Sequence, residues 1–207
     1  AAESYSERIA VKIRTLELLS VLDMLCLVIL IVIQTLAAMK MSVLNKLLEQ
    51  RAYTDAHTGL PNKDACEVLL NNKETVAKHT ACMMFDLNNL KIINDTKGHS
   101  KGDQLILNFA RLLRNVIPQK DFVGRYGGDE FMVVIYNTSK TEIEDILKQL
   151  SREKDRLNSS GNNMPIDYAC GWAISDADSE CTIQMLLDKA DYYMYENKQA
   201  YKKSKKS

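Results

Sequence analysis

The segment Arg125-Tyr126-Gly127-Gly128-Asp129-Glu130-Phe131 sets two glycines directly before two carboxylates and then runs into Met132-Val133-Val134-Ile135. The pattern reads as strand, tight turn, strand. Glycines let a backbone bend sharply and approach a bulky anion, while the adjacent acids can hold a hard cation through oxygen. Upstream, Thr80-Ala81-Cys82-Met83-Met84-Phe85 is an apolar, strand-like run that ends at Asp86. An acid at a strand's end looks out over the rim of a sheet. If that strand lies beside the hairpin, Asp86 and Asp129 converge on one or two divalent ions that carry a triphosphate. A Gly-Gly-Asp-Glu string alone is more often a hairpin whose acids face water, and only its company favours phosphate chemistry.

The elements that must position these residues follow from periodicity and breakers. Asp55 to Asn62, with Gly59 and Pro61, predicts a turn, and Lys63 to about Lys78 has helical spacing through Ala65, Val68, Leu69 and Val76. The first strand runs to Asp86. Residues 89 to 97 predict a short helix, Ser100 a cap, and Gly102 to Val116 a longer helix stopped by Pro118. The hairpin occupies 122 to 136, followed by a helix over Thr141 to Asn158, a strand over Pro165 to Ile174 and a helix over Thr182 to Lys198. Helices alternating with a mainly antiparallel sheet predict an α+β sandwich.

With His57-Thr58-Gly59-Leu60-Pro61-Asn62 and the Asp86 to Asp103 block, the glycine-acid motif resembles the GGDEF domain, the catalytic module of diguanylate cyclases, over roughly residues 53 to 202. The resemblance implies a ferredoxin-like palm fold of the nucleotidyl cyclase type. It also implies condensation of two GTP to cyclic di-GMP with release of two pyrophosphates. The 3′-hydroxyl of one nucleotide attacks the α-phosphorus of the other across a homodimer, with magnesium or manganese, two ions per site.

Asp86 and Asp129 match the family's metal carboxylates, and Leu87 a position that offers its main-chain carbonyl. Glu130 is a second acid at the rim, for metal support or hydroxyl activation. Gly127 and Gly128 match the turn that lies against the phosphates. Lys91 matches a lysine that balances charge developing on the triphosphate, and Lys198 a phosphate-binding lysine. Asn94 and Asp103 match the guanine-reading pair: a carboxylate can accept from guanine N1–H and the 2-amino group together, donors that adenine lacks. The aspartate at 103 implies the symmetric product.

The chain also departs from the family. Tyr201-Lys202 stands where glycine and arginine are usual, which implies a weaker phosphate contact at Lys202, and His57 and Lys63 replace a leucine and an arginine. The inhibitory Arg-x-x-Asp site reads Pro118-Gln119-Lys120-Asp121, so weak or absent product inhibition is expected. The competing readings are a silent module that binds GTP or cyclic di-GMP and signals to a partner, and a structural dimerisation element.

The 207 residues suffice for one domain plus an extension, and 46 % hydrophobic content supports a core. Equal numbers of basic and acidic residues, 27 each, argue against nucleic acid as a partner. Five scattered cysteines predict reduced thiols in a cytosolic setting, and neither they nor the three histidines have zinc-site spacing.

Leu18 to Met39 is almost wholly apolar and, as a helix, long enough for a bilayer core, which predicts a transmembrane helix and membrane tethering, while the family resemblance implies a bacterial protein with its catalytic part in the cytoplasm. Asp23 stands against this, and Met24 to Met39 is only 16 residues, so a signalling helix buried in a dimer is the alternative. Flanking lysines and arginines balance and give no orientation. A cleaved signal peptide is not expected. Residues 40 to 53 keep one apolar stripe, which reads equally as a dimer stalk or as a face packed on the domain, and lead into a catalytic domain over 54 to 202 and a basic tail at 203 to 207. The start at Ala1 suggests the end of a longer receptor.

Overall fold

The structure, a computed structural model, describes residues 2–72, 75–160, 164–175 and 181–204, with side chains from residue 8 onward except at 50 and 204. The expected tail lysines 205 and 206 lie outside the described residues. The chain divides into two compact units, Ala1–Gln50 and Arg51–Ser207.

The first unit is one helix, α1 (Ala2–Tyr53), whose last three residues belong to the second. Neither glycine nor proline interrupts its 52 residues, so it runs unbroken through both the apolar span and the stalk, about 78 Å at about 1.5 Å per residue. By length and composition it could cross a membrane, and its apolar side chains from Leu18 to Met39 are exposed.

The second unit carries a four-stranded antiparallel sheet in the order β2-β3-β1-β4, formed by β1 (Ala81–Leu87), β2 (Phe122–Arg125), β3 (Glu130–Ile135) and β4 (Tyr168–Ile174). Alternation along β1 sends Met83, Phe85 and Leu87 to one face and Cys82, Met84 and Asp86 to the other. On the first face α4 (His99–Val116) and α5 (Lys140–Ser159) complete a core through Phe109, Leu113, Ile143 and Leu150, where Phe109 packs edge-on against Phe85 and Phe131. The second face is covered by α2 (Lys63–Leu70) and α6 (Ile183–Ser204) through Cys66, Leu70, Leu186, Ala190 and Met194. Gly171 of β4 lets α6 settle directly on the sheet: a Cβ there would lie 2.1 Å from the Ala190 carbonyl oxygen and 2.2 Å from the Met194 nitrogen. The short α3 (Leu90–Lys97) links β1 to α4.

Four expected boundaries shift by more than a residue, the first being the end of α6, at Ser204 rather than Lys198. Helix α2 stops at Leu70, closed by the Asn71 N–H on the Glu67 carbonyl, rather than running to Lys78. Helix α4 begins at His99, and Gly98 at φ 85° makes the turn into it, so Ser100 is no cap. Strand β4 begins at Tyr168 because Asn158 bonds both main-chain groups of Ile166, at 2.8 and 2.9 Å, and holds that residue out of the ladder. The cap of α5 is a reciprocal box between Ser139 and Glu142.

Candidate active site

The antiparallel register sets Asp86 directly opposite Glu130, so both carboxylates lie on the α6 face at the rim of the sheet. Residues 126 to 129 close the hairpin between β2 and β3. The main-chain carbonyl of Asp129 accepts the Leu87 N–H at 2.9 Å, which fastens this turn to the end of β1. Asp86, Leu87, Asp129 and Glu130, expected at one site from separate segments, thus come together.

Two lysines of α6 complete the rim. Lys198 Nζ meets Asp86 Oδ2 at 2.5 Å, and Lys202, one turn further on, is close enough to act on the same carboxylate. Burial pushes the Asp86 carboxyl above its ordinary value, outweighing the opposing pull of Lys198. Asp86 is 5 % exposed, and its Oδ1 is buried with no partner, an acceptor left to be satisfied. Glu130 is likewise raised, first by burial and then by Asp129, Asp86 and Asp191. Crowded oxygen acceptors with mutually repelling charge, Asp86 buried and Asp129 and Glu130 half-buried, are what a hard divalent cation relieves. Among the described residues, no three His, Cys, Asp or Glu side chains are already gathered to ligating distance. An ammonium, not a third acid, stands beside Asp86.

Positive φ among the described glycines occurs at Gly59 and Gly98, so neither Gly127 nor Gly128 provides a left-handed bend. Gly127 lies close to the Glu130 side chain: a Cβ there would lie 2.5 Å from Oε2, so Glu130 would have to turn aside. Gly128 faces open space on the exposed side of the turn.

Its anchor is a pair that sequence reasoning passed over. Arg125 bonds Asp55 at 3.1 Å with one end of its guanidinium and the Gly128 carbonyl at 2.8 Å with the other. Asp55 in turn accepts from the main chain and hydroxyl of Thr58. Partial burial alone would raise its pKa, but the Thr58 bonds and the Arg125 charge bring it below the ordinary value. The readable signal was Asp55-x-x-Thr58, an Asx-type turn.

Asn94 and Asp103 lie on facing ends of α3 and α4. Gly102 is buried between these helices and brings them into contact: a Cβ on it would lie 1.9 Å from Asn94 Oδ1, itself buried without a partner. Asp103 exposes its side chain, while its main-chain carbonyl accepts a hydrogen bond from His57 Nε2 at 2.9 Å. The unusual histidine therefore braces the start of α4. Lys91 stands exposed in the first turn of α3. Asp121, from the departed inhibitory motif, is 5 % exposed and accepts the Tyr136 N–H at 3.1 Å, a bond that holds the outer ends of β2 and β3 together.

Comparison with known proteins agrees with this architecture. The chain is 31 % identical over 164 residues to the signaling protein YkoW of Bacillus subtilis, matching 76 % of this chain and 20 % of that protein. It is 30 % identical over 165 residues to the diguanylate cyclase DgcP of Escherichia coli, with 77 % and 48 % covered. A third relative, the cyclic di-GMP phosphodiesterase PdeB of Shewanella oneidensis, is 32 % identical over 146 residues, with 70 % and 17 % covered. The chain thus spans less than half the length of these relatives. A solved microbial GGDEF domain, described for its interaction with bis-(3′,5′)-cyclic di-GMP, superposes with a TM-score of 0.63 at 26 % identity over 74 % of this chain and 94 % of that one. The family model for the diguanylate cyclase GGDEF domain matches residues 52–204, and with the acids, glycine turn and α+β sheet in place, the chain belongs to the GGDEF family.

Proposed function

We propose that this chain is an active diguanylate cyclase, joining two GTP molecules into cyclic di-GMP with release of two pyrophosphates. The observation that carries this reading is the rim itself: Asp86 and Glu130 in register, Asp129 beside them, and two lysines of α6 over the same acids. Asp86, Asp129, Glu130 and the Leu87 carbonyl would hold magnesium or manganese, which supplies charge neutralisation for the phosphates and lowers the pKa of the attacking hydroxyl.

The chain's own groups do the rest. Gly128 leaves room for phosphate oxygens on the open side of the turn. Lys198 balances the charge of Asp86 and, on the same rim, would offer its ammonium to phosphate oxygen. Lys202 and Lys91 add positive charge, and Lys202 does so as a point charge without arginine's fork. Asn94 and Asp103 read guanine, with the spare Asn94 acceptor and the exposed Asp103 carboxylate as the groups that adenine cannot satisfy. Because each nucleotide supplies the nucleophile for the other, two copies must face one another. The apolar part of α1, residues 18 to 39, tethers the protein to the bacterial membrane, with 40 to 53 as stalk and 54 to 202 as the cytoplasmic catalytic domain.

Incubation of the purified chain with GTP and magnesium, followed by chromatography for cyclic di-GMP and a pyrophosphate assay, tests the reading; binding without either product refutes it. That outcome would favour a second reading, a nucleotide-binding module inside a larger signalling protein, which is supported by relatives of several times this length, one of them named a phosphodiesterase.

A further inference from the structure

We propose that the outer edge of β4 is a docking groove for an extended, acidic peptide segment of a partner protein, which adds to the sheet as a further strand. Strand β4 ends the sheet order, and among the described residues no strand pairs with its outer side. The Asn197 side chain donates to the Cys170 carbonyl at 2.6 Å, which shows that this carbonyl points away from β1. Alternation then turns the main-chain groups of Tyr168, Trp172 and Ile174 outward as well. Asn197 caps one acceptor of a seven-residue edge.

The edge lies at the back of a groove of about 870 Å³. Its upper lip is a stripe of α6, Lys189, Tyr193, Asn197 and Tyr201, spaced four residues apart, and its lower lip is Lys140 and Leu147 of α5. The stripe spans about 18 Å at about 1.5 Å per residue, which an extended chain at about 3.3 Å per residue covers in five or six residues. A second copy of this chain fits poorly, because another β4 would arrive with its own α6 packed against it.

Two further observations indicate what the guest carries. Asn88 lines the Tyr168 end of the groove, is 6 % exposed, and its Nδ2 is a buried donor without a partner, which calls for a carbonyl or carboxylate acceptor. The lining includes two lysines and no acid. Main-chain pairing supplies affinity in such a mode, and the lips select side chains.

The test uses the full chain and a ten-residue probe peptide with an alternating valine-threonine centre between Asp-Glu pairs. Its rivals are a Lys-Lys-flanked version and an acidic version with two central prolines. Trp172, the sole tryptophan, sits in the groove and reports binding by fluorescence. The acidic probe should bind saturably and at least tenfold more tightly than either rival, and should protect the amides of Tyr168, Trp172 and Ile174 from hydrogen exchange. The double variant Lys140→Glu/Lys189→Glu should reverse the charge preference. Equal binding of the proline peptide, no saturable binding of the acidic probe, or a concentration-dependent Trp172 shift and β4 protection without peptide would overturn the proposal, the last by assigning the edge to a second copy.

Discussion

Lys198→Met separates the roles given to the Asp86–Lys198 pair. In the nucleotide-free protein the substitution removes the ammonium and leaves Asp86, with a side chain 8 % exposed, without a partner on either oxygen. Stripping one partner from a sealed pair costs about 3–5 kcal/mol. Here the Lys198 side chain is 26 % exposed, and the carboxyl can take up a proton, so the expected loss is about 1–3 kcal/mol.

For a unit of this size that lowers the melting temperature by about 2–12 °C. Trp172 fluorescence in the full chain follows the second unit during melting. The pH dependence has a definite sign. The folded Asp86 pKa is raised above 3.8, so its protonated form favours folding in acid, and this contribution is lost as pH rises through the raised value. Removing Lys198 raises that value further. The deficit of Lys198→Met is therefore full at neutral pH and shrinks in acid. Adding Asp86→Asn should recover most of it, because no buried charge remains. A variant as stable as the parent at neutral pH, with no pH dependence in the difference, would show that the pair does not exist in solution.

Asp129→Ala should abolish cyclic di-GMP formation while leaving the melting temperature within a few degrees, since Asp129 anchors the turn through its main-chain carbonyl; full turnover would remove it from the metal set. Asp103→Ser should raise the use of ATP relative to GTP in competition assays, and an unchanged ratio would mean that the base is read elsewhere. Gly171→Ala should cost several kcal/mol in thermal melts, because its Cβ meets helix backbone that cannot step aside; a drop of less than about 1 kcal/mol would contradict the seat of α6 on β4.

The α+β architecture was legible because each strand is a run of apolar residues bounded by breakers, and the rim was legible because Asp86 and Asp129 both end or begin such runs. Helix α2 came out too long because Val76 keeps the apolar period after Asn71 has closed the last turn. The Asn158 clamp on Ile166 left no periodic trace, and it shortened β4. At the site, the partner of Lys198 could not be read from spacing, since Asp86 lies 112 residues away. Arg125 and Asp55, 70 residues apart, were hidden for the same reason. What the two turn glycines do is less legible: neither has a positive φ, Gly127 lies against the Glu130 carboxylate, and Gly128 faces open space.

The contact of α6 with Gly171 has a bearing beyond stability. Where side chains separate a helix from a sheet, repacking can slide it by fractions of an ångström. Here main chain rests on main chain between Ala190 and Met194, a hard stop one turn before Lys198. The height of that ammonium above Asp86 is thereby gauged by peptide geometry, and drift in the surrounding apolar residues leaves the spacing of the acidic rim untouched.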